Sequence, residues 1–247
     1  MFRLLTYNIR RGGVGREDLL ARVIAACAPD AVLLQEATVP SVVSAIASHC
    51  GMAAYGALAG RSLAYMSRKP VKHAAWNRPR FSRHAFIEVI PDGSAPRLFG
   101  VHLSAVHAAW TERRRAFELQ SLLKAIQEHQ HGFHVLAGDF NTLAPGEDLD
   151  VRQLPPRLRP FVWLSGGRIR WRTIHAVLDR GYVDSFRRLH PTEPGATLPT
   201  SNPHIRLDYV FVSEAFADRV RRCEVVCSGD AVAASDHFPV FADLVET

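Results

Sequence analysis

The chain has 247 residues, 47% hydrophobic and 22% charged. This is ordinary globular usage, and it excludes disordered, collagen-like and coiled-coil readings. The net charge of +6 leans towards an anionic partner, but Lys stands only at 69, 72 and 124 among the 30 basic residues, so an Arg-rich genomic habit accounts for part of that charge.

Residues 2–7 form an apolar, β-type run ending at Asn8, and Gly12, Gly13 and Gly15 then make a loop. Leu20, Val23, Ile24 and Cys27 follow at helical spacing, and Pro29-Asp30 ends that helix. Residues 31–34 read as a buried strand with Gln35-Glu36 at its end. A second helix is expected from Pro40 to His49, closed by Gly51. Strand-like runs lie near 63–67, 71–76, 84–90 and 98–103, with Pro91-Asp92-Gly93 as a hairpin turn. Thr111 to His129 is the longest expected helix, and residues 133–137 form another strand. A Pro- and Arg-rich stretch covers about 142–172. A helix near 173–180 precedes strands near 207–212, 220–227 and 239–245. Strands that alternate with helices and also follow one another in hairpins imply mixed sheets covered by helices. No linker divides the chain, so one domain over 1–247 is expected.

No apolar run approaches the roughly 20 residues that span a bilayer. The opening Met1-Phe2-Arg3-Leu4-Leu5-Thr6 lacks a signal-peptide core, so a cytoplasmic protein is expected. Cys27, Cys50, Cys223 and Cys227 make no Cys-x-x-Cys pair and read as reduced, mostly buried thiols.

Polar residues recur where apolar strands end: Asn8, Glu36, His102, Asp139 with Asn141, Asp208 at a strand start, and Asp236-His237 before the last strand. Taken singly, each has an ordinary role. Asn8 could cap a turn, Glu36 could be a solvated strand end, and Gly138-Asp139-Phe140-Asn141 could be a turn. Asp236 could be an N-cap, and a lone histidine is usually structural. Taken together, they suggest a site at one edge of the sheets. Carboxylates and amides are hard oxygen donors suited to Mg2+ or Mn2+, whereas few, scattered histidines argue against a zinc cage.

The set recurs in a known order. Leu5-Thr6-Tyr7-Asn8-Ile9, Leu33-Leu34-Gln35-Glu36, Val101-His102-Leu103, Ala137-Gly138-Asp139-Phe140-Asn141, Arg206-Leu207-Asp208-Tyr209 and Ser235-Asp236-His237-Phe238-Pro239 span nearly the whole chain. In these segments the chain resembles the endonuclease/exonuclease/phosphatase superfamily, the DNase I-like fold. The resemblance implies a four-layer α/β sandwich, with two mixed sheets face to face and helices outside. It also implies metal-assisted hydrolysis of a phosphoester with Mg2+ or Mn2+, and a monomer is expected. By the same resemblance, Glu36 would be the main metal ligand, helped by Asn8 and Asp236. Asp139 would orient or deprotonate the attacking water, and Asn141 would hold that water or a phosphate oxygen. His237, oriented by Asp208, would contact the phosphate, and His102 the phosphate or the leaving oxygen. Abasic-site members carry Asp two positions after the Asn, where this chain has Arg10.

The superfamily's substrates range from DNA and RNA to sphingomyelin, inositol phosphates and phosphotyrosyl links, and the core motifs do not separate them. Arg152, Arg157, Arg159, Arg168, Arg170 and Arg172, with Trp163 and Trp171, form a pattern that suits phosphate contact and base stacking. The alternative is a loop anchored by its tryptophans. Arg10, Arg206 and Trp171 are candidate substrate contacts, and Trp110 a candidate apolar tip. A phosphodiesterase acting on DNA or RNA stands beside a small-molecule or lipid-headgroup phosphoesterase. A non-catalytic binding module is disfavoured, because all eight candidate site residues are present.

Overall fold

The structure, a computed structural model, describes residues 1–78, 85–104, 109–127, 132–147, 150–153, 156, 159–160, 171–227 and 229–246. Among them lie two six-stranded sheets. The first runs in the order β11 (Val220–Val225), β12 (Val240–Leu244), β1 (Phe2–Asn8), β2 (Ala31–Gln35), β4 (Ala64–Ser67), β3 (Ala54–Ala57). The second runs β5 (Val71–Asn77), β6 (Phe86–Pro91), β7 (Arg97–His102), β8 (His134–Asp139), β10 (Asp208–Ser213), β9 (Tyr182–Asp184). The helices are α1 (Glu17–Cys27), α2 (Pro40–His49), α3 (Ala109–Ala125), α4 (Arg172–Leu178), α5 (Ser185–Leu189) and α6 (Ala231–Ala234).

The alternation of side chains along the strands builds four layers. Phe2 and Leu4 of β1 and Ala31 and Leu33 of β2 meet Val135 and Ala137 of β8 and Val210 and Val212 of β10 between the sheets. The intervening residues face outward. Leu5, Tyr7, Val32 and Leu34 pack beneath Leu20, Ile24, Val43 and Ile46 of α1 and α2. On the opposite outer face, Leu136, Tyr209 and Phe211 pack beneath Leu119, Leu122 and Leu123 of α3 and Ile174 and Val177 of α4. Central strands buried on both faces read as continuous apolar runs. This is the expected α/β sandwich with mixed sheets.

Most expected elements lie within a few residues of the observed ones. The short edge strand β3 was not expected, because Ala54-Tyr55-Gly56-Ala57 has weak strand propensity and a half-exposed pattern. Helix α5 begins where Asp184 accepts a hydrogen bond from Arg187 N at 3.1 Å. The four cysteines are free thiols, three buried and Cys227 exposed. Among the described residues no helix is long and apolar enough to cross a membrane.

The topology gathers the polar strand ends. β1 and β2 are parallel, as are β7 and β8, so within each pair both carboxyl ends reach the same edge. β10 starts at that edge, with Asp208 opposite Asp139, and β12 starts beside the end of β1, with Val240 opposite Thr6. Gly138 makes the β7–β8 approach possible. Its φ is +145°, and a Cβ there would lie 2.0 Å from the Val101 carbonyl oxygen. Gly138→Ala should therefore destabilise the fold by about 3 kcal/mol or more, measured by denaturant unfolding. A midpoint equal to wild type would show that this contact carries no strain.

Candidate active site

Asn8 closes β1 and is 1% exposed. Its amide nitrogen donates to Asp139 Oδ2 at 3.0 Å and to Glu36 Oε1 at 3.4 Å, joining the two sheets at their shared edge. Glu36 follows β2 in a left-handed conformation (φ 56°), which costs a non-glycine residue about 1 kcal/mol or more. Local bonds hold it there: its N–H donates to Ser62 Oγ at 3.1 Å, and its carbonyl accepts from Gly12 and Thr38. Its Oε2 accepts from Arg11 N at 2.5 Å. Arg10 and Arg11 are also left-handed, at φ 51° and 49°. Strain concentrated at a strand edge, with polar groups converging on it, is a feature of functional sites.

Asp139 ends β8 and is 1% exposed. Besides the bond from Asn8, its Oδ1 accepts from Asn141 N at 2.9 Å, and His102 Nε2 lies 3.7 Å from Oδ2. Asn141, itself left-handed at φ 52°, donates from Nδ2 to Leu103 O at 3.0 Å. His102 Nδ1 is hydrogen-bonded to Ser62 Oγ. Ser62 thus ties Glu36 to His102. It was missed in the sequence because it follows the short edge strand β3 and belongs to no motif.

His237 Nδ1 is 2.9 Å from Asp208 Oδ2, and both groups are buried. Burial alone would lower the imidazole pKa. The Asp208 carboxylate outweighs it, with help from Asp139 and Asp236, and His237 is pushed up to about 10. It is therefore an imidazolium at neutral pH. Burial pushes the Asp139 carboxyl up, and the Asp208 charge adds to the effect, while His237 and His102 oppose it. Ser235 Oγ donates to Asn8 O at 2.7 Å and fixes the segment before β12 against β1. The Asp236 carboxylate is more exposed and lies 3.2 Å from Arg10 Nε.

The structure thus brings Asn8, Glu36, His102, Asp139, Asn141, Asp208 and His237 into one connected cluster, with Asp236 and Arg10 paired beside it. It does not present Arg206 to this cluster. Arg206 is 2% exposed, with its Nη2 2.7 Å from Glu147 and 2.6 Å from Asp184, so two carboxylates from distant segments use its charge. Trp171 donates to Glu147 O at 3.1 Å and packs against Leu143, Ile205 and Leu207, which is a loop-anchoring arrangement. Arg152, Arg159 and Arg172 are exposed. Arg157, Arg168, Arg170 and Trp163 lie outside the described residues, as do residues 105–108 and the Trp110 side chain.

Among the described residues, the ligand atoms of Asp139, Asp208 and His237 lie within 4.8 Å of one another, close enough to share a cation. An imidazolium has no lone pair to offer, so this trio is better read as a charge-paired proton donor beside a carboxylate. The wider cluster nevertheless fits a hard divalent cation. Asp208 Oδ1 is buried without a hydrogen-bond partner. Four carboxylates converge, from Glu36, Asp139, Asp208 and Asp236, and His237 and Arg10 compensate them only in part. Glu36, Asn8 and Asp236 supply oxygen donors of the type Mg2+ prefers.

Residues 5–237 match the Endonuclease/Exonuclease/phosphatase family. No curated protein matches the sequence. The chain is similar to a 3′ phosphatase, NExo, from Neisseria bound to product DNA hairpin. The identity is 20% and the TM-score 0.76, with 99% of this chain and 100% of that one covered. It is similar to an AP endonuclease from Archaeoglobus fulgidus at 19% identity and TM-score 0.71, with 99% of each chain covered. It is also similar to humanized D. rerio TDP2 at 17% identity and TM-score 0.66, covering 98% of this chain and 97% of that one. At these identities the likeness to solved structures shows the fold alone.

Proposed function

This chain belongs to the endonuclease/exonuclease/phosphatase family, and we propose that it is a divalent-metal-dependent phosphodiesterase acting on nucleic acid through a single catalytic domain over 1–247. The observation that carries the reading is the buried His237–Asp208 pair with Asp139 beside it. Attack on a phosphodiester must overcome repulsion between anions and stabilise the charge that develops on the phosphoryl oxygens. With Nδ1 held by Asp208, His237 offers its Nε2–H and a full positive charge to a phosphate oxygen. Asp139 is an acceptor that holds the attacking water and takes its proton; its raised pKa suits that task. Asn141, fixed by Leu103, positions the water or a phosphate oxygen. His102, held by Ser62, faces the phosphate or the leaving oxygen. Glu36, with Asn8 and Asp236, would hold Mg2+ or Mn2+, which supplies Lewis-acid polarisation and charge neutralisation. The relatives described as binding a DNA hairpin or as AP endonucleases support nucleic acid as the substrate class.

A chelation experiment tests the metal. Hydrolysis of bis(4-nitrophenyl) phosphate should vanish in EDTA and return with Mg2+ or Mn2+; full turnover in chelator would remove the metal from the reaction. Affinity for DNA or RNA should also fall steeply with salt, because phosphate contacts release counterions. An absence of binding even at low salt would shift the reading to a small-molecule phosphoester.

A further inference from the structure

We propose that the hollow beside His102 is a subsite for one flat aromatic ring on the group esterified to the scissile phosphate, a nucleobase in a nucleic-acid substrate. The proposal rests on the phosphodiesterase reading above. The hollow measures about 190 Å³ and is lined by Arg61, Ser62, Leu63, Trp76, Ala85 and His102. That is below the roughly 300–1,000 Å³ of sites that take drug-sized ligands, so it has room for a single ring.

His102 and Ser62 belong to the catalytic cluster through Asp139 and Glu36. A group seated in the hollow is therefore next to a phosphate held at His102. Trp76 is fixed from the other side. Its indole N–H donates to Leu63 O at 2.8 Å, and its ring lies 6.1 Å, centroid to centroid, from that of Tyr65. With its only polar atom bonded and its orientation set, the indole offers apolar ring surface at little entropic cost. Stacking on such a surface tolerates every base, because every base has a π-face. Arg61 is exposed at the rim, with no carboxylate partner among the described residues. Its planar guanidinium can stack on a base or meet the next phosphate. This pairing favours a base over the alternatives: an inositol ring is not flat and gains little from Trp76, and a lipid chain gains nothing from Arg61.

Two esters with the same leaving group decide the matter: thymidine 5′-(4-nitrophenyl phosphate) and methyl 4-nitrophenyl phosphate. The wild type should prefer the thymidine ester in kcat/KM. Trp76→Ala and Arg61→Ala should each reduce that preference, by about 10-fold for the tryptophan. Thymidine 5′-monophosphate should quench tryptophan emission in the wild type and fail to do so in Trp76→Phe. The surface variant Arg61→Ala and the fluorescence readout keep the test decisive if Trp76→Ala does not fold. No preference in the wild type, or a preference unchanged in both Arg61→Ala and a folded Trp76 variant, overturns the subsite and leaves the phosphodiesterase standing. No turnover of either ester would instead overturn the phosphodiesterase reading.

Discussion

Asp139→Asn should lower kcat by roughly 10³-fold on any phosphodiester the wild type cleaves, with stability within about 1 kcal/mol of wild type. The loss follows from the chemistry. An amide cannot take a proton from water, and Asp139 is the buried carboxylate that stands between His102 and the His237–Asp208 pair. The small stability change follows from opposing effects. The substitution replaces an acceptor for the Asn8 amide with a donor, which costs about one hydrogen bond. It also removes a buried negative charge that faces Asp208, the arrangement that pushes the Asp139 carboxyl up. KM should move little if the lost interaction belongs to the transition state. Turnover equal to wild type in a folded Asp139→Asn protein would place the base elsewhere.

The legible part of the cluster is the part that sits on strands. Asn8, Glu36, His102 and Asp139 stand out because each interrupts an apolar run, and the run is apolar because its strand is buried on both faces. A continuous apolar run therefore announces both the sheet and its edge. Parallel pairing then places Asn8 beside Gln35 and His102 opposite Asp139. What could not be read depends on contacts between distant segments. Ser62 matters only because β3 and β4 carry its loop back to Glu36 and His102. The left-handed backbone of Glu36 has no signature in residue type, whereas Asn141 is of a type that tolerates it. Arg206 is a candidate substrate contact in the sequence, where it stands in the same motif as Asp208. Its real partners, Glu147 and Asp184, come from segments with no motif, and only a three-dimensional view shows the charge to be spent. The +6 of the chain is thus a poor guide to where a polyanion would lie.

His237→Asn should lower kcat by roughly 10²–10³-fold, the effect of deleting one preorganised donor to a developing oxyanion. Asp208→Asn should act through the same imidazole and can be told apart from a structural lesion by its pH profile. Burial is the largest influence on His237 and acts downward, and Asp208 is the chief reason the group is pushed up to about 10 instead. Without that carboxylate the imidazole loses its proton at lower pH. The alkaline limb of kcat should then move acidward, and acid should restore part of the activity; a variant uniformly slow at every pH would assign Asp208 a packing role. Stability reports the same charge independently. The folded pKa of His237 lies above the unfolded value of about 6.5, so its contribution is complete below that pH and is lost as pH rises towards about 10. In EDTA-treated protein, wild type should therefore exceed His237→Asn by about 3 kcal/mol in the acid range, and the gap should close on the alkaline side. A gap that stays constant from about 6.5 to about 10 would mean that His237 is neutral in the folded protein and that the phosphate meets no imidazolium.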